Sequence, residues 1–412
     1  MSMAGPADRL VNVVVVGGGP AGSAAATLLA RAGRSVVLID KATFPRDKCC
    51  GDGLTTLALR LCERLGLDPG NIPNWQPVSG AVLHSPSGTR ISFPLPTGSG
   101  QFAAVVPRAE LDAALLELAR QAGADVRESC ALTGIRIDGA SAALDMDGMG
   151  GLKAGAVVAA DGMWSPTRRS LGLAEEGYRG EWHAFRQYVA DVAPAAADLH
   201  VWFQPDLLPG YAWSFPLPGS RANVGFGILR GGSVPIGETG AIWSGLLERP
   251  AIREVLGERA TPEGRHSAWP IPARINSAVL DHGPVLFAGD AAGATDSLTG
   301  EGIGQALLTG MLAAESILAG GPPDSIGLRY RNAVRRELVA DHRMSMALQP
   351  LMSLPLTARG VVRVAGATGW TRRKFARWLF EDYPRALVVT PRRWRRGVLG
   401  REGAYRRQPP RP

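Results

Sequence analysis

Val13 to Val16 is an unbroken β-branched run, too short to span a membrane and suited to a strand buried on both faces. It runs straight into Gly17-Gly18-Gly19-Pro20-Ala21-Gly22, and the stretch from Ser23 to Arg31 has the Ala/Leu content of a well-packed helix. Ser35 to Ile39 then predicts a second strand, ending on Asp40. Phe44 to Gly53 is a polar, glycine-punctuated loop leading into a helix from about Leu54 to Leu65. Val78 to Phe93 predicts a hairpin broken at Ser85-Pro86-Ser87-Gly88, and Pro107-Arg108 opens an amphipathic helix carrying Leu111, Leu115, Leu116 and Leu118. Short alternating strands follow from Ala124 to Val158 and end at Ala160-Asp161-Gly162. Ala184 to Phe203, Tyr211 to Phe215 and Ala222 to Leu229 are aromatic and β-branched without long helices between them, as in an antiparallel sheet with one exposed face. Val285 to Ala288 returns to the buried-strand pattern and ends at Gly289-Asp290, before a helix from Gly302 to Ile317. Beyond Pro323 the pattern is helical to about Leu351 and in places to Phe380, and from Pro391 an Arg/Pro-rich tail is expected to be poorly ordered.

At 412 residues and 45% hydrophobic content, the chain has room for two domains and a sizeable core. No charged-then-apolar leader precedes Val13 and no window reaches about 18 uninterrupted apolar residues, so the expected compartment is cytoplasmic. Cys49, Cys50, Cys62 and Cys130 show neither C-x-x-C nor zinc spacing, and the six histidines form no ligand pair; reduced thiols and no metal are expected. The net charge of +8 equals that of Arg385 to Pro412, which holds nine arginines and one glutamate. The body is therefore balanced, and nucleic acid is not an expected partner.

The glycines at 17, 19 and 22 fit G-x-G-x-x-G between a strand and a helix, and Asp40 lies 40 − 19 = 21 positions after Gly19. Such a loop lets backbone N–H groups approach a pyrophosphate at a helix N-terminus, where Pro20 and Ala21 stand, while the acid reaches ribose hydroxyls. An acid there favours an unphosphorylated ribose, hence FAD or NAD; this motif alone leaves both open.

Pro107-Arg108, Ala160-Asp161-Gly162, Gly289-Asp290-Ala291-Ala292-Gly293 and Leu298-Thr299-Gly300-Glu301-Gly302-Ile303 together resemble the FAD-dependent group with the para-hydroxybenzoate hydroxylase fold. Within it, Phe44-Pro45-Arg46, Cys50-Gly51-Asp52-Gly53 and Tyr211-Ala212-Trp213-Ser214-Phe215-Pro216 look like the geranylgeranyl reductase family, over about Val11 to Ser316. Ser297 departs from the proline many members carry, and the region after Gly320 carries little that is diagnostic. The resemblance implies an α/β fold: a Rossmann-like FAD-binding domain (1–77, 106–176 and 277–322) with an inserted antiparallel β-sheet substrate domain. A hairpin (78–105) and residues 177–276 form that insert, followed by a helical C-terminal region (323–390) and a basic tail (391–412). It places Lys41, Arg46, Gly51, Gly53, Arg108, Asp161 and Gly289 beside the FAD, with Asp290 on a ribityl hydroxyl. The N–H groups of Gly302 and Ile303, after Gly300, would face the flavin's N1/C2 edge. Cys50 would sit over the flavin, and Tyr211 and Trp213, on one strand face, would wall an apolar tunnel.

The expected reaction is reduction of an isolated C=C bond in a prenyl chain held against FAD, with NAD(P)H or another reductant as donor and Cys50 or a water as proton source. The substrate is expected to be a geranylgeranyl lipid, a menaquinone side chain or a terpenoid. Trp, Phe and Leu interleaved with Arg359, Arg363, Arg372, Arg373, Lys374 and Arg377 suit peripheral contact with an anionic membrane. An NAD(P)H-dependent aromatic hydroxylase, a flavin halogenase and a non-catalytic FAD-binding, membrane-associated protein stand as alternatives.

Overall fold

Val13, Val14 and Val15 are buried on both faces of a central strand, Leu10–Val16. Val36–Ile39 lies parallel on one side with Ile39 opposite Val16, and Met149–Ala159 on the other with Ala159 opposite Val16. Val285–Phe287 continues the sheet with Phe287 opposite Ala159, and Asp125–Arg127 closes the far edge. Because Val16, Ile39, Ala159 and Phe287 are in register, Gly17, Asp40, Asp161 and Gly289-Asp290 leave one carboxyl edge together, where open α/β sheets bind ligands. The computed structural model describes residues 10–406 except 233, 395 and 396; the expected tail beyond 406 lies outside the described residues.

The helix Pro20–Arg31 crosses the helix Ile303–Leu318 over this sheet. Gly310 permits the crossing, since a Cβ there would meet the Ala21 carbonyl oxygen at 2.0 Å. The return of the chain to the dinucleotide domain is thus a packed contact between its first helix and one nearly 300 positions later.

The second sheet has seven strands, in the order Thr261–Ile271, Trp182–Ala190, Arg221–Leu229, Tyr211–Leu217, Leu199–Trp202, Gly80–His84 and Arg90–Pro94. The early hairpin therefore joins the same sheet as the later strands, pairing in parallel with Leu199–Trp202. One face departs from expectation. Two short helices, Thr239–Leu246 and Pro250–Leu256, cover it, and Trp243, Leu246 and Ile252 pack on Phe185, Val224 and Phe226. That face is core, not exposed, and the opposite face turns to the cavity.

Helices Pro323–Val334, Ala340–Met352, Pro355–Ala365 and Gly369–Leu379 complete the molecule, the last opened by a Thr368–Thr371 capping box. The expected disordered tail is corrected over its described part. Ala404 pairs with Gln101, and Ala404 and Tyr405 are buried against the cluster around Leu54 to Leu65. Nor are all the late basic residues solvated: Arg377 is buried against Asp382, and Arg385 against Asp296 and Glu381. No helix among the described residues is long and apolar enough to cross a membrane.

Candidate active site

A single cavity of about 1120 Å³ runs from the carboxyl edge of the first sheet to the open face of the second. Except for Gly22, buried under the loop, every residue expected to bind the cofactor lines it. At one end the Asp40 carboxylate holds the glycine loop to the sheet, accepting from the Gly18 N–H at 2.7 Å and the Ala42 N–H at 2.8 Å. On the cavity side of Gly19 a Cβ would meet, among the described residues beyond its chain neighbours, only Arg46 Nη2, at 3.6 Å, so the backbone there is open to a ligand. Arg108 is held in a two-bond fork by Asp112 at 2.8 and 2.7 Å, and Arg46 reaches the same carboxylate at 3.2 Å. Lys48, 3.7 Å from Asp290, lies over the Trp269 ring; burial lowers its pKa.

Asp161 combines the turn and the site. Its Oδ2 accepts the Thr167 N–H at 2.9 Å, in the first turn of Pro166–Ser170, while Oδ1 is buried with no donor among the described residues. Burial pushes this carboxyl up. An orphaned acceptor, an open glycine loop and converging cations are what the hydroxyls and phosphates of a dinucleotide require, and the residues present fit FAD. One expected contact is already used within the chain. The Ile303 N–H is donated to Glu301 Oε1 at 2.9 Å, as is that of Gly304 at 3.1 Å. Of the two N–H groups offered to the flavin edge, that of Gly302 alone takes no partner among the described residues.

At the other end, the Cys50-to-Gly53 loop is pinned by Asp52, which adopts a left-handed conformation at φ 64°. Its buried carboxylate accepts from Tyr188 Oη at 2.8 Å, Asn223 Nδ2 at 2.7 Å and the Arg108 N–H at 3.2 Å. Burial pushes it up to about 6. Asn223 also donates to the Cys50 carbonyl at 2.8 Å and accepts from Trp213 Nε1 at 3.1 Å. One amide thus fixes Cys50 relative to the tunnel wall. Tyr211, Trp213 and Phe215 follow one another at ring separations of 6.1 and 6.0 Å and all line the cavity, with Phe215 against Gly51 and Gly53. Tyr211 Oη donates to the Thr299 carbonyl. Burial pushes the Cys50 thiol up to about 11, so it is a neutral thiol at pH 7.

Sequence reasoning passed over Asp52, Tyr188, Asn223 and Glu301 as site residues. Asp52 and Glu301 stand inside quoted motifs, where a charged residue among glycines was the available signal. Tyr188 and Asn223 carry no local signal; only strand pairing brings them to the loop, as Tyr188 sits opposite Asn223.

Comparison with known proteins agrees with this geometry. Residues 10–218 match the model of the FAD binding domain family. The menaquinone reductase of Mycolicibacterium smegmatis is 33% identical over 385 residues, covering 87% of this chain and 88% of that protein. A digeranylgeranylglycerophospholipid reductase of Methanopyrus kandleri is 31% identical over 319 residues, covering 74% and 76%. The crystal structure of a geranylgeranyl bacteriochlorophyll reductase-like protein from Thermoplasma acidophilum superposes with a TM-score of 0.79 at 22% identity, over 94% of this chain and 100% of that one. With the fingerprint, the Cys50 loop and the aromatic strand meeting in one cavity, the chain belongs to the geranylgeranyl reductase family of FAD-dependent oxidoreductases.

Proposed function

We propose that the protein reduces isolated C=C bonds in a polyprenyl chain, a menaquinone side chain or a geranylgeranyl lipid. The observation that carries this reading is the cavity's course. Beyond Cys50 it is walled by Tyr211, Trp213 and Phe215 and continues past Leu348, Met352, Val362 and Trp378 of the C-terminal helices. An alkene offers no polar handle, so an elongated apolar wall that orients it is the recognition it needs. FAD, when bound and reduced, supplies a hydride. The chain's own part is to hold it: the glycine loop and Asp40 at the adenine end, Asp290 and Lys48 midway, and Gly302 with the Cys50 loop at the reacting end. Trp213 and Phe215 exclude water from that end. Anaerobic, dithionite-reduced protein given menaquinone or a digeranylgeranyl lipid is expected to return product carrying two more hydrogens by mass spectrometry. Product gained only with oxygen, and heavier by one oxygen atom, would instead mean a hydroxylase.

Membrane contact, on this reading, involves the helices that close the cavity. Leu356, Val364 and Trp370 are 75%, 70% and 64% exposed. They line a groove with Val361, Phe375 and Trp378, three residues that also line the cavity. Arg359, Arg363 and Arg373 are exposed on the same two helices. Apolar side chains ringed by arginines suit an anionic bilayer, and a lipid substrate would enter from it without crossing water. Leu356→Asp/Trp370→Asp is expected to abolish sedimentation with vesicles containing phosphatidylglycerol while flavin content stays unchanged. Undiminished sedimentation would refute this face as the contact.

A further inference from the structure

Glu301 lines the reacting end of the cavity, just before the helix Ile303–Leu318. Its Oε1 accepts the two N–H bonds described above; Oε2 takes none from the described residues and is open to the cavity. Behind it stands Glu381, whose Oε2 accepts from Thr55 Oγ1 at 3.0 Å and whose Oε1 accepts from Gln305 Nε2 at 2.8 Å and Arg385 Nη2 at 3.3 Å. Arg385 turns its other side to Asp296, at 3.4 Å, which Ser345 and Thr299 also satisfy. Arg385 thus faces Asp296 and Glu381, and among the described residues it makes no direct contact with Glu301. Like charges so placed cannot all ionise. Gln305 Oε1, on the side chain that donates to Glu381, is buried with no donor among the described residues.

We propose that Glu301 is the general acid of the site, giving its Oε2 proton to the substrate alkene; this rests on the prenyl-reducing function proposed above. Burial and the neighbouring Glu381 raise Glu301 to about 8, outweighing Arg385 and the two N–H donors that favour its anion. The groups facing it across the cavity, Tyr211 and Cys50, are both neutral at pH 7, their pKa values raised by burial. Cys50, at about 11, is the poorer acid, since a donor works best with a pKa near the operating pH. In the balanced step the alkene π bond breaks. One carbon takes the hydride that reduced FAD supplies, the other forms a C–H bond with the Glu301 proton, and Glu301 is left as carboxylate. Glu301 takes up a proton from water before the next turnover, and the flavin's electrons come from the enzyme's reductant.

The test compares wild-type, Glu301→Gln and Glu301→Asp holoenzymes, each photoreduced without oxygen and mixed with a digeranylgeranyl lipid. Glu301→Gln is expected to carry normal flavin yet to slow alkene-driven flavin oxidation by about 100-fold or more. Glu301→Asp should recover part of the rate, and the wild-type rate should fall as pH rises through about 8. Infrared spectra of 13C-glutamate-labelled protein supply a readout independent of turnover. A protonated-carboxyl C=O band should be present at pH 7, fade as pH rises through about 8 and vanish in Glu301→Gln. An active Glu301→Gln enzyme, or a band unchanged by that substitution, overturns the role of Glu301 alone. A wild type inert toward menaquinone and geranylgeranyl lipids overturns the prenyl-reducing function, and the proton step with it.

Discussion

Replacing Arg385 with Leu is expected to cost about 3–5 kcal/mol of folding stability, and more at pH 8 than at pH 5. Arg385 is 3% exposed, and its guanidinium lies among Asp296, Glu381 and Thr299 Oγ1 over the Trp378 ring. With Arg385 present, Asp296 is held below its ordinary value despite burial, so it stabilises the fold above the usual carboxylate range and loses that contribution as pH falls. Without Arg385, burial dominates for Asp296 and Glu381 alike. Both then stabilise the fold only while protonated, and that contribution is lost as pH rises. Urea unfolding at the two pH values measures the difference, and equal penalties would show that the cluster is not electrostatically coupled. Arg385→Lys should recover only part of the loss, since a single ammonium cannot face Asp296 through one nitrogen and Glu381 through another.

Gly22→Ala is expected to leave the protein without flavin after desalting, read as the ratio of flavin to protein absorbance. A Cβ at 22 would lie 1.8 Å from the Gly17 carbonyl oxygen. That oxygen cannot retreat easily: Gly17 itself is at φ 103° and its N–H is bonded to the Ile39 carbonyl at 2.8 Å. The first helix must then move off the loop, and the N–H groups that would meet the pyrophosphate move with it. Full flavin content in this variant would mean that the loop is not the pyrophosphate cradle.

Both predictions bear on what the sequence could show. The loop around Gly22 was legible because its signal is local: strand, glycines, helix and Asp40 fall within 28 consecutive positions, each with a steric or electrostatic reason. Gly289-Asp290 and the Gly300-to-Ile303 turn were legible likewise, and together they separated FAD from NAD. Arg385 was not. It read as the first charge of a basic tail, because its partners Asp296 and Thr299 lie almost 90 positions earlier and nothing in the spacing announces them. The same distance hid the Glu301–Glu381 cluster. Ile303 shows the opposite error: its N–H was rightly placed at a helix start, but the Glu301 side chain two positions before it had a prior claim. The strand pattern revealed the second sheet, yet the helices behind it are too short for a periodicity to register.

The docking of Ala404 and Tyr405 beside Gln101 and the Thr56–Arg64 helix bears on biosynthesis. Cavity walls are drawn from positions as far apart as Gly17 and Phe380, and the strand that begins the cofactor domain is synthesised hundreds of residues before the helices that close the site. A nascent chain still on the ribosome has the glycine loop but neither the Ile303 helix nor the Arg385 cluster. The cavity is therefore complete only once the helices around Phe380 have joined both sheets. A chain folded without flavin would present this largely apolar cleft to water, the kind of surface that favours association.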